Sequence, residues 1–442
     1  MTQSHQWQKK LPVSTGGSSA KKRRSLGKNF LASPLALFPA CLFMGLMGGT
    51  SPSSAMSCDE ALLGRAANIQ PKTVLRRYEA SETLSQKVRD NAPFYWAETR
   101  SRQPIKWQQM PAVLKSQVVA IGDLHSGNFS PVLVPGKGVL YTLFDVKDLG
   151  YAPALYDINR LVLNTVAVAS RRRHLDASER EAIAREIYVS YRQGLAREDF
   201  VLTAQHQVDL PTPEKLQRKL VKKQNGKTDE DGLLSVDGES TRPLSYAAKE
   251  LGLTEAEIRP RLERELRTHL GSGHLRDAIV SVKDRGGSRD QMRIMVLFQT
   301  QDGRVLMKEL KRVGESAVAT YQDQPSLLEV QVAASRFLDY DTAVLFPQIQ
   351  IGGSGFVLRD KKVETISVPY KQKEPGDFER LMELARNHAQ WVGTFHGRQL
   401  FAQEAGRNFR FAEALRDHQV EIIRSLDGFN RSHMNRLTEE GP

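Results

Sequence analysis

Asp123, Asn128 and Asp145 have the types and local settings needed for phosphoryl transfer. Residues 118–121 (VVAI) read as a buried strand ending at Gly122, with Asp123, His125 and Asn128 following in a tight loop. A second apolar run, residues 141–144, ends in Asp145 and then Asp148. Carboxylates at the ends of apolar runs are where oxygen-ligated Mg²⁺ chemistry is usually built. Asp123 would orient a substrate hydroxyl and accept its proton. Asn128 and Asp145 would hold Mg²⁺ against the phosphates of a nucleotide, with ATP the expected donor. A lone Asp or Asn in such a place is more often a turn former. Here several stand together at two strand ends, which favours chemistry.

These residues need a scaffold on both sides. A helix is expected to start near Pro153, with Asp157 in its first turn and Leu155, Ile158, Leu161, Val162 and Val166 at helical spacing. Ser178-x-x-Glu181 reads as a capping box opening a second helix, and Thr254-x-x-Glu257 as another, running to about Leu270. Between them, residues 210–245 are dominated by Lys, Gln, Gly, Asp, Glu and Ser and read as an exposed insertion. A strand-rich part follows: strands at 278–283 and 292–300, a Gly-rich turn at 285–288, an Asp302-Gly303 hairpin, and a strand at 305–310 carrying Lys308. A helix at 326–338 with Glu329 comes next, then strands at 344–351 and 355–359. Helices at 377–399 and 411–426 complete the pattern. His388 and His396 on the first of these are expected to pack rather than to bind a ligand.

The motifs resemble a known group. GDLHSGN is similar to the GDxHxxN loop of aminoglycoside phosphotransferase-like kinases, FDVKD to their I-D-F-x-D segment, and PALYDINRL to their P-x-Y-D-L-x-R-L helix. The pattern GDxHxxNF, FDxNDFD and P-x-x-x-D-x-x-R-L also resembles a bacterial family of unknown function, number 2252, over about residues 78–398. The His that often precedes Gly-Asp in the phosphotransferases is Ile121 here. The resemblance implies an α+β, two-lobed, protein-kinase-like fold using ATP and Mg²⁺ on a hydroxyl acceptor. Gly286 and Gly287 would let the backbone approach phosphates. Lys308 would contact those phosphates, with Glu329 as its partner. The strand-rich part follows the catalytic loop instead of preceding it, and WVGTFHGRQ near the C-terminus resembles the helix that ordinarily leads into that loop. The expected architecture is therefore circularly permuted. Residues 59–270 would form the first part of the catalytic lobe, 271–362 the nucleotide lobe, and 363–442 the helices that complete the catalytic lobe.

Residues 1–58 read as a targeting segment. They carry seven Lys or Arg and no acid, and their basic stretch is followed by an apolar one at 30–46 and small residues suited to cleavage after Ala55. Export to the periplasm or cell envelope is expected, or a cytoplasmic location if this segment is not a signal. Pro34 and Pro39 argue against a stable membrane span. Cleavage would remove Cys41 and leave Cys58 unpaired, so no intrachain disulfide is expected. Of the formal charge of +12, only +5 remains beyond residue 58, too little to argue for nucleic acid. An intact candidate site favours an ATP-dependent phosphotransferase. Export favours the alternative, a pseudokinase or binding module without turnover, since ATP is scarce outside the cytoplasm. A metallophosphatase reading of AIGDLHSGN lacks the later Gly-Asp-x-x-Asp and Gly-Asn-His segments.

Overall fold

Apolar runs that end in Gly or in an acid build two short antiparallel strand pairs between residues 117 and 153. The computed structural model describes residues 83–134, 138–171, 174–197, 240–282, 292–360 and 377–439. The targeting segment 1–58, most of the polar insertion, Gly286 and Gly287 lie outside these described residues. Helices α1 (Leu84–Asp90) and α2 (Ala92–Arg102) lead to β1 (Gln117–Ala120), β2 (Phe129–Val134), β3 (Gly138–Leu143) and β4 (Gly150–Pro153). β1 pairs antiparallel with β4, and β2 with β3.

Helix α3 (Ala154–Ala169) follows directly, and nearly every residue along it is buried. Helix α4 (Ala177–Leu195) is capped by Asp176, whose carboxylate accepts the Glu179 N–H, while Glu179 reaches back to the Asp176 N–H. The box therefore sits two residues before the expected Ser178.

A six-stranded antiparallel sheet comes next, in the order β5-β6-β7-β8-β10-β9. Its strands are β5 (Ser240–Pro243), β6 (Gly273–Val282), β7 (Arg293–Thr300), β8 (Val305–Arg312), β9 (Gln348–Ile351) and β10 (Ser354–Asp360). Helices α5 (Leu244–Glu250) and α6 (Glu255–Leu270) cover one face of it. Leu244, Ile258, Leu262 and Leu266 share a core there with Val280, Ile294, Val296, Phe298, Leu310 and Phe356. The strand-rich part thus draws in residues from 240 onward, earlier than the expected 271, because β5 pairs with β6. Glu257 accepts from the Thr254 backbone and hydroxyl, as its capping role requires.

Between β8 and β9 stand α7 (Leu327–Ser335) and α8 (Thr342–Leu345). The expected strand at 344–351 is shortened at its start, because the Asp341 carboxylate accepts the Ala343 and Val344 N–H groups and caps α8. Three helices close the described chain: α9 (Asp377–Gln403), α10 (Arg407–Asp417) and α11 (Gln419–Glu439). The expected 411–426 helix is two helices, broken at His418. α9 lies tightly on α4. A Cβ on Gly393 would stand 2.1 Å from the Tyr191 carbonyl oxygen, and one on Gly194 2.1 Å from that of Gln390. Only glycine permits so close a crossing. One large core joins α1–α4, β1–β4, α7 and α9–α11, including Val119, Leu155, Ile187, Val330, Val392 and Leu426. Among the described residues no helix is long and apolar enough to cross a membrane.

Candidate functional site

Strand pairing alone assembles the candidate residues. β2 and β3 pair Phe129 with Leu143, and the Phe144 N–H donates 2.7 Å to the Asn128 carbonyl just beyond. Asn128 and Asp145, 17 positions apart in sequence, therefore meet at one end of a hairpin. β1 and β4 pair Ala120 with Gly150, so the loop after β1 and the loop before β4 also meet. A Cβ on Gly122 would sit 2.0 Å from the Asp148 carbonyl oxygen, and Gly122 has φ +79°. Glycine is required there on both counts. Asp123, Asn128, Asp145, Lys147 and Asp148 are thereby gathered on two abutting loops.

Helix α3 holds the first loop from beneath. The buried Asp157 carboxylate accepts the Ile121 N–H at 2.8 Å and the Gly122 N–H at 3.0 Å. Asp157 also faces His396 Nε2 at 3.4 Å, and His396 Nδ1 lies 2.9 Å from the Tyr191 hydroxyl. Three residues along α3 from Asp157, Arg160 places one guanidinium nitrogen 3.2 Å from Asp123 Oδ1 and 2.6 Å from the Val88 carbonyl. On the other side, His125 Nε2 faces Asp123 Oδ2 at 3.6 Å. The Gly127 N–H donates 2.9 Å to His125 Nδ1, so the ring proton sits on Nε2 and points at Asp123. Both Asp123 oxygens are therefore oriented. Burial alone would raise this carboxyl, but the His125 ring, Arg160 and Lys147 overcome it and hold the group well below the ordinary carboxylate range. Burial keeps His125 below its ordinary value, against the pull of Asp123. The side-chain nitrogen of Asn128 donates to the Asp123 carbonyl, leaving its oxygen as the acceptor end.

The sheet contributes the opposing charges. Along β8, Met307, Glu309 and Lys311 face one way, and Leu306, Lys308 and Leu310 the other. Lys311 Nζ lies 2.6 Å from Asp145 Oδ2, and its side chain is only 2% exposed. Burial pushes the ammonium down to about 7; Asp145 pulls it back up, while Arg359, Lys147 and Arg293 add to the push. Asp145 is held well below its ordinary value, because Lys311, Arg359 and Lys147 outweigh its burial. Next in the row, Glu309 pairs with Arg359 at 2.7 Å and Arg293 at 3.4 Å. The Arg359 guanidinium lies 4.8 Å from the centre of the Phe144 ring, tying β10 to the residue before Asp145.

The structure brings Asp123, Asn128 and Asp145 together but not the expected lysine and its partner. Lys308 pairs in register with Val296, which belongs to the core beneath α5 and α6, so it stands on the face turned away from Asp145. Glu329 is exposed and accepts from the Ser326 N–H and hydroxyl, capping α7. The lysine that meets Asp145 is Lys311, three residues on. Lys311, Lys147, Arg160 and Arg359 were all missed. Each lies in a segment with a sequence signal, Lys147 in FDVKD, Arg160 in PALYDINRL, Lys311 in VLMKELK on the lysine strand and Arg359 in the FVLRDKK strand, but none was singled out. His388 is buried on α9, stacked 4.1 Å from Phe129, and burial pushes its imidazole down to about 3. Among the described residues, no three His, Cys, Asp or Glu side chains stand together as a metal cluster.

These features define a mixed helix-and-sheet protein in which ion pairs join loops at the strand ends of a helical core to one face of an antiparallel sheet. The chain belongs to the bacterial family described as "Uncharacterized protein conserved in bacteria (DUF2252)", whose profile matches residues 108–429. No curated protein and no solved structure matches it.

Proposed function

We propose that the chain is a kinase-like phosphotransferase that uses ATP and Mg²⁺ on a hydroxyl acceptor, and that its fold is a circularly permuted kinase-like one. The observation that carries this reading is the Asp145–Lys311 pair, 2.6 Å long, joining the loop beside Asn128 and Asp123 to the third long strand of the sheet. Phosphoryl transfer needs such a convergence: an acceptor-orienting carboxylate, two oxygen donors toward a metal, and a strand lysine toward phosphates. Lys311 takes the phosphate-contacting role in place of Lys308. The donor set suits Mg²⁺ that arrives with phosphates, since one carboxylate and one amide oxygen do not fill its shell but phosphate oxygens and water do. When bound, the ion would supply charge neutralisation at those phosphates. Asp123, held ionised and aimed by His125 and Arg160, orients the hydroxyl and receives its proton. The loose transition state of this reaction asks little base strength of it.

Two observations support the permuted order. In the sheet, β6-β7-β8-β10-β9 is the order expected of a kinase-like nucleotide lobe, with α7 inserted after the lysine strand. Across the core, Gln399 on α9 accepts the Val119 N–H at 2.6 Å and donates to the Val119 carbonyl at 3.2 Å, although the two are 280 positions apart. The helix that resembles the one leading into the catalytic loop thus lies beside that loop's strand. A binding module without turnover remains the second reading, favoured by the fact that Asp145 already has an internal cation.

Thermal unfolding of the full chain with and without ATP and Mg²⁺ tests the proposal. Ligand at about a hundred times its dissociation constant adds roughly 2.7 kcal/mol of stability. The shift is expected to need Mg²⁺, to vanish in Asp145→Asn and Lys311→Ala, and to survive in Lys308→Ala and Asp123→Asn. No shift with any nucleotide, from folded protein, refutes it. A shift without phosphoryl transfer to any of a panel of small hydroxyl compounds selects the binding-module reading.

A further inference from the structure

Arg293, Lys311 and Arg359 stand in one row on the face of the sheet that meets Asp145. Between β7 and β8, Arg293 pairs in register with Lys311, and between β8 and β10, Glu309 pairs with Arg359. Glu309 and Lys311 are two residues apart on β8, so all four side chains share a face. The three cations are buried, their side chains 7%, 2% and 6% exposed. Two carboxylates serve them. Asp145 takes Lys311. One oxygen of Glu309, Oε1, takes both guanidiniums: Arg359 through Nε at 3.1 Å and Nη2 at 2.7 Å, and Arg293 through Nη1 at 3.4 Å. The Arg293 Nε is buried and meets no acceptor among the described residues.

Such a row is costly to the fold. Like charges directly opposite across two strands are destabilising, and Arg293 opposes Lys311. A buried cation is also expensive without an anion of its own, and here three cations share two carboxylates. On the phosphotransferase reading the imbalance grows, because Asp145 turns to Mg²⁺ and Lys311 loses its carboxylate. An anion with several charges, laid along the row, offsets it. Guanidinium groups suit phosphate oxygens, which their fixed N–H forks match in pairs. Further along the same face, Met295, Leu297 and Met307 are already buried in a cluster with Ile279 and Val305, so they present no open apolar surface for a base to stack on.

We infer that Arg293 and Arg359 bind phosphate beside Lys311, and that the site recognises its donor by the polyphosphate chain and not by the base. The inference rests on the phosphotransferase reading and narrows its donor class. A nucleoside triphosphate and inorganic tripolyphosphate present the same chain to this row.

Calorimetric titration of the full chain in the presence of Mg²⁺ compares ATP, GTP, inorganic tripolyphosphate and adenosine. The first three are expected to bind within about tenfold of one another, and adenosine not at all. Arg293→Gln and Arg359→Gln are each expected to weaken ATP and tripolyphosphate alike by about tenfold or more, as the loss of a charge-assisted hydrogen bond requires. The double variant Glu309→Gln/Arg359→Gln leaves no carboxylate stranded in the sheet, guards against a misfolded single variant and is expected to show the same loss. Lys308→Ala removes a cation from the opposite face and is expected to leave both affinities unchanged. ATP binding more than about a hundredfold tighter than tripolyphosphate, or unchanged in folded Arg293→Gln and in the double variant, overturns the inference and leaves the phosphotransferase reading in place. An equal loss in Lys308→Ala does the same, for it means that only net charge matters. Binding of neither ATP nor tripolyphosphate to folded wild type overturns that reading and this inference with it.

Discussion

Lys311 allows a prediction that can be worked through without knowing any substrate. A lysine ordinarily titrates near 10.5, and burial brings this one down to about 7. Because the folded value lies below the unfolded one, the unfolded chain holds more protons between pH 7 and 10.5. Stability therefore rises with pH across that window, at up to about 1.4 kcal/mol per pH unit for a single group. The cost of keeping Lys311 charged is fully present below pH 7 and is relieved as pH rises. Half-titration near pH 7 trims the first unit, leaving roughly 2 kcal/mol gained between pH 7 and 9. The side chain is 2% exposed, so solvent screening removes little of this. Lys311→Met abolishes the term. Urea unfolding of wild type and Lys311→Met at pH 7, 8 and 9 isolates it, because other titrating groups contribute equally to both chains and midpoints compare directly when the denaturant slopes agree. Wild type is expected to gain on the variant by roughly 2 kcal/mol over the two units. Asp145→Asn removes the carboxylate that pulls Lys311 upward, so the same rise begins at lower pH. A wild-type-minus-variant difference that stays flat from pH 7 to 9 refutes the reasoning, for it means that burial does not desolvate Lys311.

Two further substitutions probe the frame of the site. Gly122→Ala places a Cβ 2.0 Å from the Asp148 carbonyl at a φ of +79° and is expected to cost upward of roughly 3 kcal/mol, read as a fall in melting temperature. A loss below about 1 kcal/mol there means that the two loops are not in contact as described. Asp157→Asn weakens two charge-assisted hydrogen bonds to the Ile121 and Gly122 N–H groups and is expected to cost roughly 1.5–3 kcal/mol. The same change should speed amide exchange in the loop that follows β1; unchanged exchange there would show that Asp157 does not hold it.

What the sequence disclosed and what it hid follow from the same few physical signals. An apolar run that stops at Gly-Asp, and another that stops at Asp145, mark strand ends by composition alone, and their closeness in sequence made Asp123, Asn128 and Asp145 legible as one site. The lysine was different, because its identity depends on which face of β8 meets the helical core. Along VLMKELKR both faces carry apolar residues, Met307 on one and Leu306 and Leu310 on the other, so alternation gives no inward side. The face is set by α5 and α6, which cover Leu310 and leave Glu309 and Lys311 toward Asp145. A one-residue change of parity thus decides between Lys308 and Lys311. The cap of α4 was ambiguous for a related reason: Asp176-x-x-Glu179 and Ser178-x-x-Glu181 are overlapping boxes, and only one set of N–H groups can be the first turn. Glu329 misled in another way. An acid in the first turn of a helix satisfies both a capping role and a lysine-pairing role on paper, and the Ser326 three residues before it chose the former. Charges that act through tertiary neighbours, such as Lys147 and Arg160, lie inside the motifs, but nothing local says what they face. Their positions follow only once β1 has paired with β4 and α3 has been driven beneath them.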